Sequence, residues 1–330
     1  MIIRKSAYYD DFVCLAAACP DSCCKEWDVL VDPASAARYR ALPGPLGDRL
    51  RQVLKDSEDG TYMEIEDRRC PMWRADGLCR IQAELGEDAL CATCRDFPRL
   101  RHDYGDFVEL GLELSCPEAA KFILSDREFA VTEQEVPGGK GEYDPEVMEL
   151  LRRSRETALS ILRDRRYTIP EALTLLLLLG CEVQGWIDGA DEVPFDPDAA
   201  LEAAKNIAGD ADPRGFLDFF TELEILTPEW REMLNAPEPP AAWPEELRAM
   251  AGYLVRRYWL QAVSDYDLYS RAKLVAISCL AVRLIGGDPA RTAQLYSKEI
   301  ENSAENVDAI LDAAYSHPAL TDRAMLALLQ

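Results

Sequence analysis

The cysteines constrain this chain more than any other feature. Of its 11, nine (Cys14, Cys19, Cys23, Cys24, Cys70, Cys79, Cys91, Cys94 and Cys116) precede residue 117, and only Cys181 and Cys279 lie beyond. An odd total suits no complete disulfide framework. The start of the chain, residues 1–11, has no signal-peptide apolar stretch, which sets the expectation of a cytoplasmic protein. In a reducing compartment thiols stay free, so a dense cluster of them points to metal binding or redox chemistry. Cys181 and Cys279 sit in apolar helical patterns and are expected to pack as small hydrophobes.

Charge narrows the partners. Asp plus Glu number 60 against 36 Lys plus Arg, a formal net charge of −24. Nucleic acid needs a basic footprint, and none is visible, so no nucleic-acid partner is expected. An anionic membrane is disfavoured on the same ground, whereas a protein with surface lysines is electrostatically allowed. The all-leucine run at residues 175–179 is far shorter than the roughly 18–20 residues that span a bilayer. With 48% hydrophobic residues the chain is ordinary globular material rather than disordered.

The spacing of the thiols is that of ligands. They read Cys14-x4-Cys19-x3-Cys23-Cys24 and Cys70-x8-Cys79-x11-Cys91-x2-Cys94, with Cys116 alone. A two-residue gap lets both thiolates of a turn address one ion, as in zinc and iron–sulfur sites. Adjacent Cys23 and Cys24, with Cα atoms about 3.8 Å apart, tend to point to different sides of an extended backbone. They therefore serve two sites, or one of them packs. Histidine is scarce: only His102 and His317 exist. Cys19, Cys70 and Cys116 each precede proline, as in ferredoxin-type ligation, which tilts the reading toward iron–sulfur over zinc.

The chain divides at the glycine-rich stretch 137–141. Residues 1–135 are expected to form a Cys-rich, metal-binding α+β region with a small antiparallel sheet. In it, 107–114 alternates polar and apolar residues as a half-buried strand, and 61–66 alternates likewise as its partner. Helices are expected near 33–41 and 46–55. Residues 142–330 read as an all-α domain, making the whole protein mostly α. Several of its helices open on proline followed by acids, as at Pro170, Pro228 and Pro244, or on Asp288-Pro289. Residues 188–198 and 237–244 read as loops.

Certain stretches resemble the flagellin lysine-N-methylases, near a broader group of zinc- or iron-chelating CxxCxxCC domains. They are Phe12-Val13-Cys14, Cys19-Pro20-Asp21-Ser22-Cys23-Cys24-Lys25-Glu26-Trp27, Gly77-Leu78-Cys79-Arg80-Ile81-Gln82, Cys94-Arg95-Asp96-Phe97-Pro98-Arg99 and Leu114-Ser115-Cys116-Pro117. Tyr253-Leu254-Val255-Arg256-Arg257-Tyr258 and Asp265-Tyr266-Asp267-Leu268 resemble the family's C-terminal helices. The resemblance covers about 5–125 and 245–285. It implies methyl transfer from S-adenosylmethionine to lysine side chains, with flagellin the family's named substrate. It also implies a cysteine-bound [4Fe–4S] cluster, zinc being the alternative metal. Cys91 departs from the family pattern, leaving Cys14, Cys19, Cys23, Cys24, Cys70, Cys79, Cys94 and Cys116 as ligands, enough for two four-ligand sites or for one cluster plus packing cysteines.

Methyl transfer to an amine needs a neutral lysine, and lysine has a pKa near 10.4, so the enzyme must desolvate it or supply a base. Tyr8, Tyr266 and Asp267 are the catalytic candidates, with Tyr9 and Asp10 beside them; anchoring the N-terminus and capping a helix are their plainer roles. No glycine-rich strand-to-helix turn or βαβ alternation offers a doubly wound cofactor site. Arg95 and Arg99 are candidates for the donor's carboxylate, or else for local acids. Trp27, like Trp73, can stack on a sulfonium, shield a cluster or fill a core. The competing reading is a non-catalytic metal-binding protein, either an iron–sulfur carrier or a zinc-stabilised helical adaptor.

Overall fold

Among the described residues seven strands form two separate sheets, and neither has the pairing expected from the alternation. The computed structural model describes residues 1–58, 60–126, 128–207 and 210–330. One sheet contains β1 (Ile2–Ser6), β5 (Arg99–Asp103), β6 (Phe107–Leu112) and β7 (Val131–Glu135) in the order β5-β6-β1-β7. It is mixed rather than antiparallel, because β1 lies parallel to β6, with Ile2 opposite Phe107. The other sheet is antiparallel: β2 (Val29–Val31), β4 (Gly60–Met63) and β3 (Leu54–Ser57), in the order β2-β4-β3. Residues 61–63 thus pair with their near neighbours in β3, not with 107–112. Alternation marks a strand with one buried face but says nothing about its partner. Pairing at short separation closes the smallest loop at the least entropic cost.

Five helices accompany these strands: α1 (Pro33–Ala41), α2 (Gly44–Val53), α3 (Arg80–Leu85), α4 (Ala92–Asp96) and α5 (Pro117–Ser125). Asp32 caps α1 by accepting from the Ser35 N–H at 2.9 Å, with Pro33 at the first helical position. Ten more follow the loop at 137–144: α6 (Pro145–Arg163), α7 (Ile169–Ile187), α8 (Pro197–Ala204), α9 (Pro213–Thr221), α10 (Pro228–Asn235), α11 (Glu246–Tyr258), α12 (Tyr269–Ile285), α13 (Pro289–Tyr296), α14 (Ala304–Ser316) and α15 (Asp322–Leu329). The expected proline starts recur at α7, α10 and α13, whereas Pro244 lies outside α11, which begins at Glu246 after Glu245. At α7 they are joined by a full capping box between Thr168 and Glu171. A single π-helical turn, Ser297–Glu301, extends α13.

Two hydrophobic cores result. The smaller is built by the three-stranded sheet with α1–α4 and includes Val31, Tyr39, Leu50 and Met72. The larger runs from Phe107 and Leu112 through α5 into the helices, with Trp230 and Trp259 at most 1% exposed. Cys279 is buried in it, while Cys181 is half-buried. Where α7 crosses α12, a Cβ on Gly180 would stand 2.2 Å from that of Ala272. Gly180→Ala is therefore expected to cost about 1–3 kcal/mol through overpacking; an unchanged denaturant midpoint would contradict this close approach. Among the described residues no helix is long and apolar enough to cross a membrane.

Candidate metal centre

The nine thiols fall into two neighbourhoods that meet at Cys23 and Cys24. The inner one belongs to the smaller core: Cys70 and Cys91 are buried in it, and Cys24, Cys79 and Cys94 pack partly buried against it. Local chain geometry brings them together. The Cys70 N–H donates to the Cys24 carbonyl at 2.7 Å, and Trp73 bridges to Cys79. Asp32 reaches across to accept the Ala92 N–H at 2.9 Å, while the Thr93 hydroxyl donates to the Leu30 carbonyl at 2.8 Å. Both contacts hold the turn carrying Cys91 and Cys94 against β2. Burial pushes the Cys70 thiol up to about 12, with Cys24, Cys79 and Cys91 adding in the same direction. A hydrogen bond with Cys91 raises Cys94 and lowers Cys91. Cys91, set aside by the sequence, is thus a full member of this group.

Cys14, Cys19, Cys23 and Cys116 form the outer neighbourhood. Cys14 and Cys23 are exposed, Cys19 is half-buried and Cys116 is 8% exposed. The hydrogen bond with Cys24 raises Cys23, and the charges of Cys14 and Cys116 act on it in the same sense. Burial raises Cys116, which also feels Cys19 and Cys14. Cys116 stands at the N-cap of α5 with Pro117 at the first helical position, so this Cys-Pro pair starts a helix.

A buried ionic clamp fastens the outer group to the helices. Asp21, between Cys19 and Cys23, is 8% exposed. It pairs with Lys25 at 2.7 Å, with Lys298 of the π-helical turn at 3.3 Å and with Arg291 of α13 at 3.3 Å. Gln294 donates to Asp21 at 3.4 Å and to the Ser115 carbonyl, next to Cys116, at 2.6 Å. Burial alone would raise the Asp21 carboxyl. The Lys25 hydrogen bond and the Lys298 charge instead hold it far below the usual carboxylate range. Trp27 lies beneath the same Lys298, whose ammonium is 5.1 Å from the ring centre. Sequence reasoning missed this clamp, because Asp21 and Lys298 lie 277 positions apart.

The donor chemistry of both groups suits a thiophilic metal, zinc or an iron–sulfur cluster, since sulfur predominates. The thiols are gathered but not converged: among the described residues no three Cys, His, Asp or Glu side chains stand around one point as ligands.

The other sequence candidates scatter. Tyr8 stacks on Phe122 at 6.2 Å, and burial pushes its phenol up to about 12, so it remains a proton donor at neutral pH. Tyr266 is 46% exposed and in the left-handed region, with φ 62°. Asp267 accepts from the Ser270 N–H and hydroxyl and from the Tyr315 hydroxyl at 2.6 Å, the capping role open to it from sequence. Tyr266 and Asp267 adjoin α7 and α14, whereas Tyr8 faces β5, β6 and α11. Arg95 pairs with its neighbour Asp96 at 3.1 Å, and Arg99 covers the Phe12 ring at 5.2 Å. His317 accepts the Ala319 N–H as a cap.

Sequence reasoning also did not find the cleft beside Tyr8. It is bounded by His102, Glu109, Tyr253, Arg4, Arg256 and Arg257, among others. His102 Nε2 is buried there without a hydrogen bond, and burial lowers its pKa, as do Arg257 and Arg155. Its charged neighbours are thus these arginines and Glu109.

No family model matches the chain, and no solved structure gives a significant match. Three curated proteins do. The flagellar biosynthetic protein FliU of Salmonella muenchen is 34% identical over 131 residues, covering 38% of this chain and 78% of that protein. Proteins named lysine-N-methylase from Salmonella choleraesuis and Salmonella typhimurium are 34% identical over 131 residues, again 38% of this chain but only 33% of their own length. The chain thus spans a third of the lysine-N-methylases and more than three quarters of FliU. On that coverage, together with the cysteine motifs it carries, the chain belongs to the flagellin lysine-N-methylase family.

Proposed function

We propose that this protein is an S-adenosylmethionine-dependent protein lysine N-methyltransferase that carries a cysteine-ligated [4Fe–4S] cluster, with flagellin as the first substrate to try. The observation that carries the reading is the 34% identity to proteins named lysine-N-methylase. Dense thiols support the cluster, and the net charge of −24 suits a lysine-bearing protein partner. The methyl donor carries a carboxylate that a guanidinium can pair with bidentately. Arg99, on β5 over the Phe12 ring, is the candidate for pairing that carboxylate. The substrate amine must shed its proton before it can attack the methyl group. With Tyr8 kept as a donor and Asp267 engaged in capping, desolvation of the lysine carries that task.

The test is metal and acid-labile sulfide analysis of anaerobically purified protein, followed by incubation with S-adenosylmethionine and flagellin. About four irons and four sulfides per chain are expected, together with flagellin lysines that gain the mass of a methyl group. Absence of methyl transfer to flagellin and to a panel of lysine-rich proteins, by protein that holds its metal, would sink the enzyme reading. The gathering of five thiols in and against the smaller core favours one second reading, the zinc-stabilised helical adaptor. Zinc without sulfide, and no methyl transfer, would put it first.

A further inference from the structure

We propose that the cleft between the mixed sheet and α11 is a binding site for a small organic carboxylate, gripped by Arg256 and His102. None of the N-terminal thiols lines this cleft. The site therefore stands independently of the function proposed above.

Three arginines line the cleft, and two of them have carboxylate partners. Arg4 pairs with Glu133 at 2.7 Å, and Arg257 pairs with Glu301 at 3.3 Å and with Glu113 at 3.5 Å. Arg256 is the third. Among the described residues it has no carboxylate within ion-pairing distance; its Nη2 donates to the Phe129 carbonyl, and its Nε is buried without a hydrogen bond. Phe129 also fixes its place, because the ring packs so tightly on α11 that a Cβ on Gly252, one turn before Arg256, would stand 2.1 Å from it. A guanidinium held in this way is pre-organised to receive a carboxylate through two parallel hydrogen bonds.

A second nitrogen in the same cleft has no partner. His102 Nε2, on β5, is buried without a hydrogen bond, although buried polar groups in native proteins nearly always find one. With its proton on Nε2, neutral His102 is a donor. The Tyr8 phenol, kept protonated by burial, is another. Donors around one unpaired cation call for an anion that accepts hydrogen bonds. One guanidinium neutralises a carboxylate, whereas a phosphate dianion would leave a charge uncompensated where water is excluded. Leu100, Leu110, Leu112 and Val131 supply an apolar lining, which suits a short hydrocarbon chain on the acid. An α-amino acid fits less well. Glu109, the carboxylate lining the cleft, already has both oxygens engaged by Arg155, at 2.6 and 2.7 Å, and offers little to an ammonium group.

The test is proton NMR of the protein titrated with butyrate, read at the ring C–H signals of its two histidines, His102 and His317. A His317→Gln variant assigns them. Butyrate is expected to shift the His102 signals saturably and to leave those of His317 in place. Butyramide, which has the same shape without the charge, should give no saturating shift at equal concentration. Phosphate and 2-aminobutyrate should both bind more weakly than butyrate. Arg256→Gln should weaken butyrate by about tenfold or more, the size of a lost charged hydrogen-bonded pair.

No saturable shift with butyrate, or an equal shift with butyramide, would overturn the site. That comparison uses wild type alone, so it holds even where Arg256→Gln fails to fold. Unaltered affinity in an Arg256→Gln protein of native circular dichroism would overturn the assignment to Arg256. Phosphate or 2-aminobutyrate binding as tightly as butyrate would overturn the choice of a simple carboxylate.

Discussion

Arg155→Met is expected to destabilise the protein by about 3–5 kcal/mol at neutral pH, because it strands a buried carboxylate. The Arg155 guanidinium on α6 grips Glu109 of β6 through two bonds, at 2.6 and 2.7 Å, and the side chains are 4% and 12% exposed. Burial alone would raise Glu109. The Arg155 hydrogen bonds and charge, with Arg256 and Arg4 assisting, bring it below the ordinary value. A carboxylate with a depressed folded-state pKa contributes stability above its unfolded pKa, about 4.3, and that contribution is lost as pH falls through the folded value. In the variant the dominant influence is burial, which penalises the charged form, so protonation relieves the damage. The gap between wild type and variant in denaturant midpoint should therefore be widest near pH 7 and narrow toward pH 4. His102 faces the same pair and is lowered mainly by burial, with Arg257 and Arg155 contributing, so it is expected to titrate higher once Arg155 is gone. A constant gap across that range would show that Glu109 is not the stranded group.

The clamp at Asp21 should respond as strongly. Asp21→Ala leaves the Lys298 ammonium, 3% exposed, without its carboxylate, and removes what Gln294 and Arg291 hold in the cysteine loop. A loss of about 3–5 kcal/mol is expected, together with faster amide hydrogen exchange across residues 14–28. Replacing both partners, as Asp21→Leu with Lys298→Met, should recover much of the stability, since no buried charge is then left over. Exchange should remain fast, because the loop has still lost its ties to α13. Unchanged exchange in Asp21→Ala would mean that the loop is held by something other than this network.

The parts of the molecule that were legible beforehand share a physical character. Helices announced themselves by local devices, such as Pro170 with Glu171 and Pro289 after Asp288, because a helix satisfies its hydrogen bonds within a few residues. Thiol density and the Cys91-x2-Cys94 turn are equally local. Cys23 and Cys24, expected to point to different sides of an extended backbone, instead lie in a turn and hydrogen-bond to each other, and only their further neighbours differ. Strand pairing was misread, because 61–63 and 107–112 carry the same alternation and nothing in either names its partner. Of the catalytic candidates, Tyr8 lies apart from the adjacent pair Tyr266 and Asp267, among different neighbours.

By itself the sequence determined the helical C-terminal half, the thiol density of the first 116 residues and membership of a methylase family. Periodicity, caps and motifs are properties of neighbouring residues, and they survive being read one stretch at a time. Only the tertiary structure decided which thiols keep company, that Cys91 joins them, and that Asp21 meets Lys298 across 277 positions. Those contacts exist because two cores were packed and charges buried with them. Burial depends on the whole chain at once, and no single segment records it.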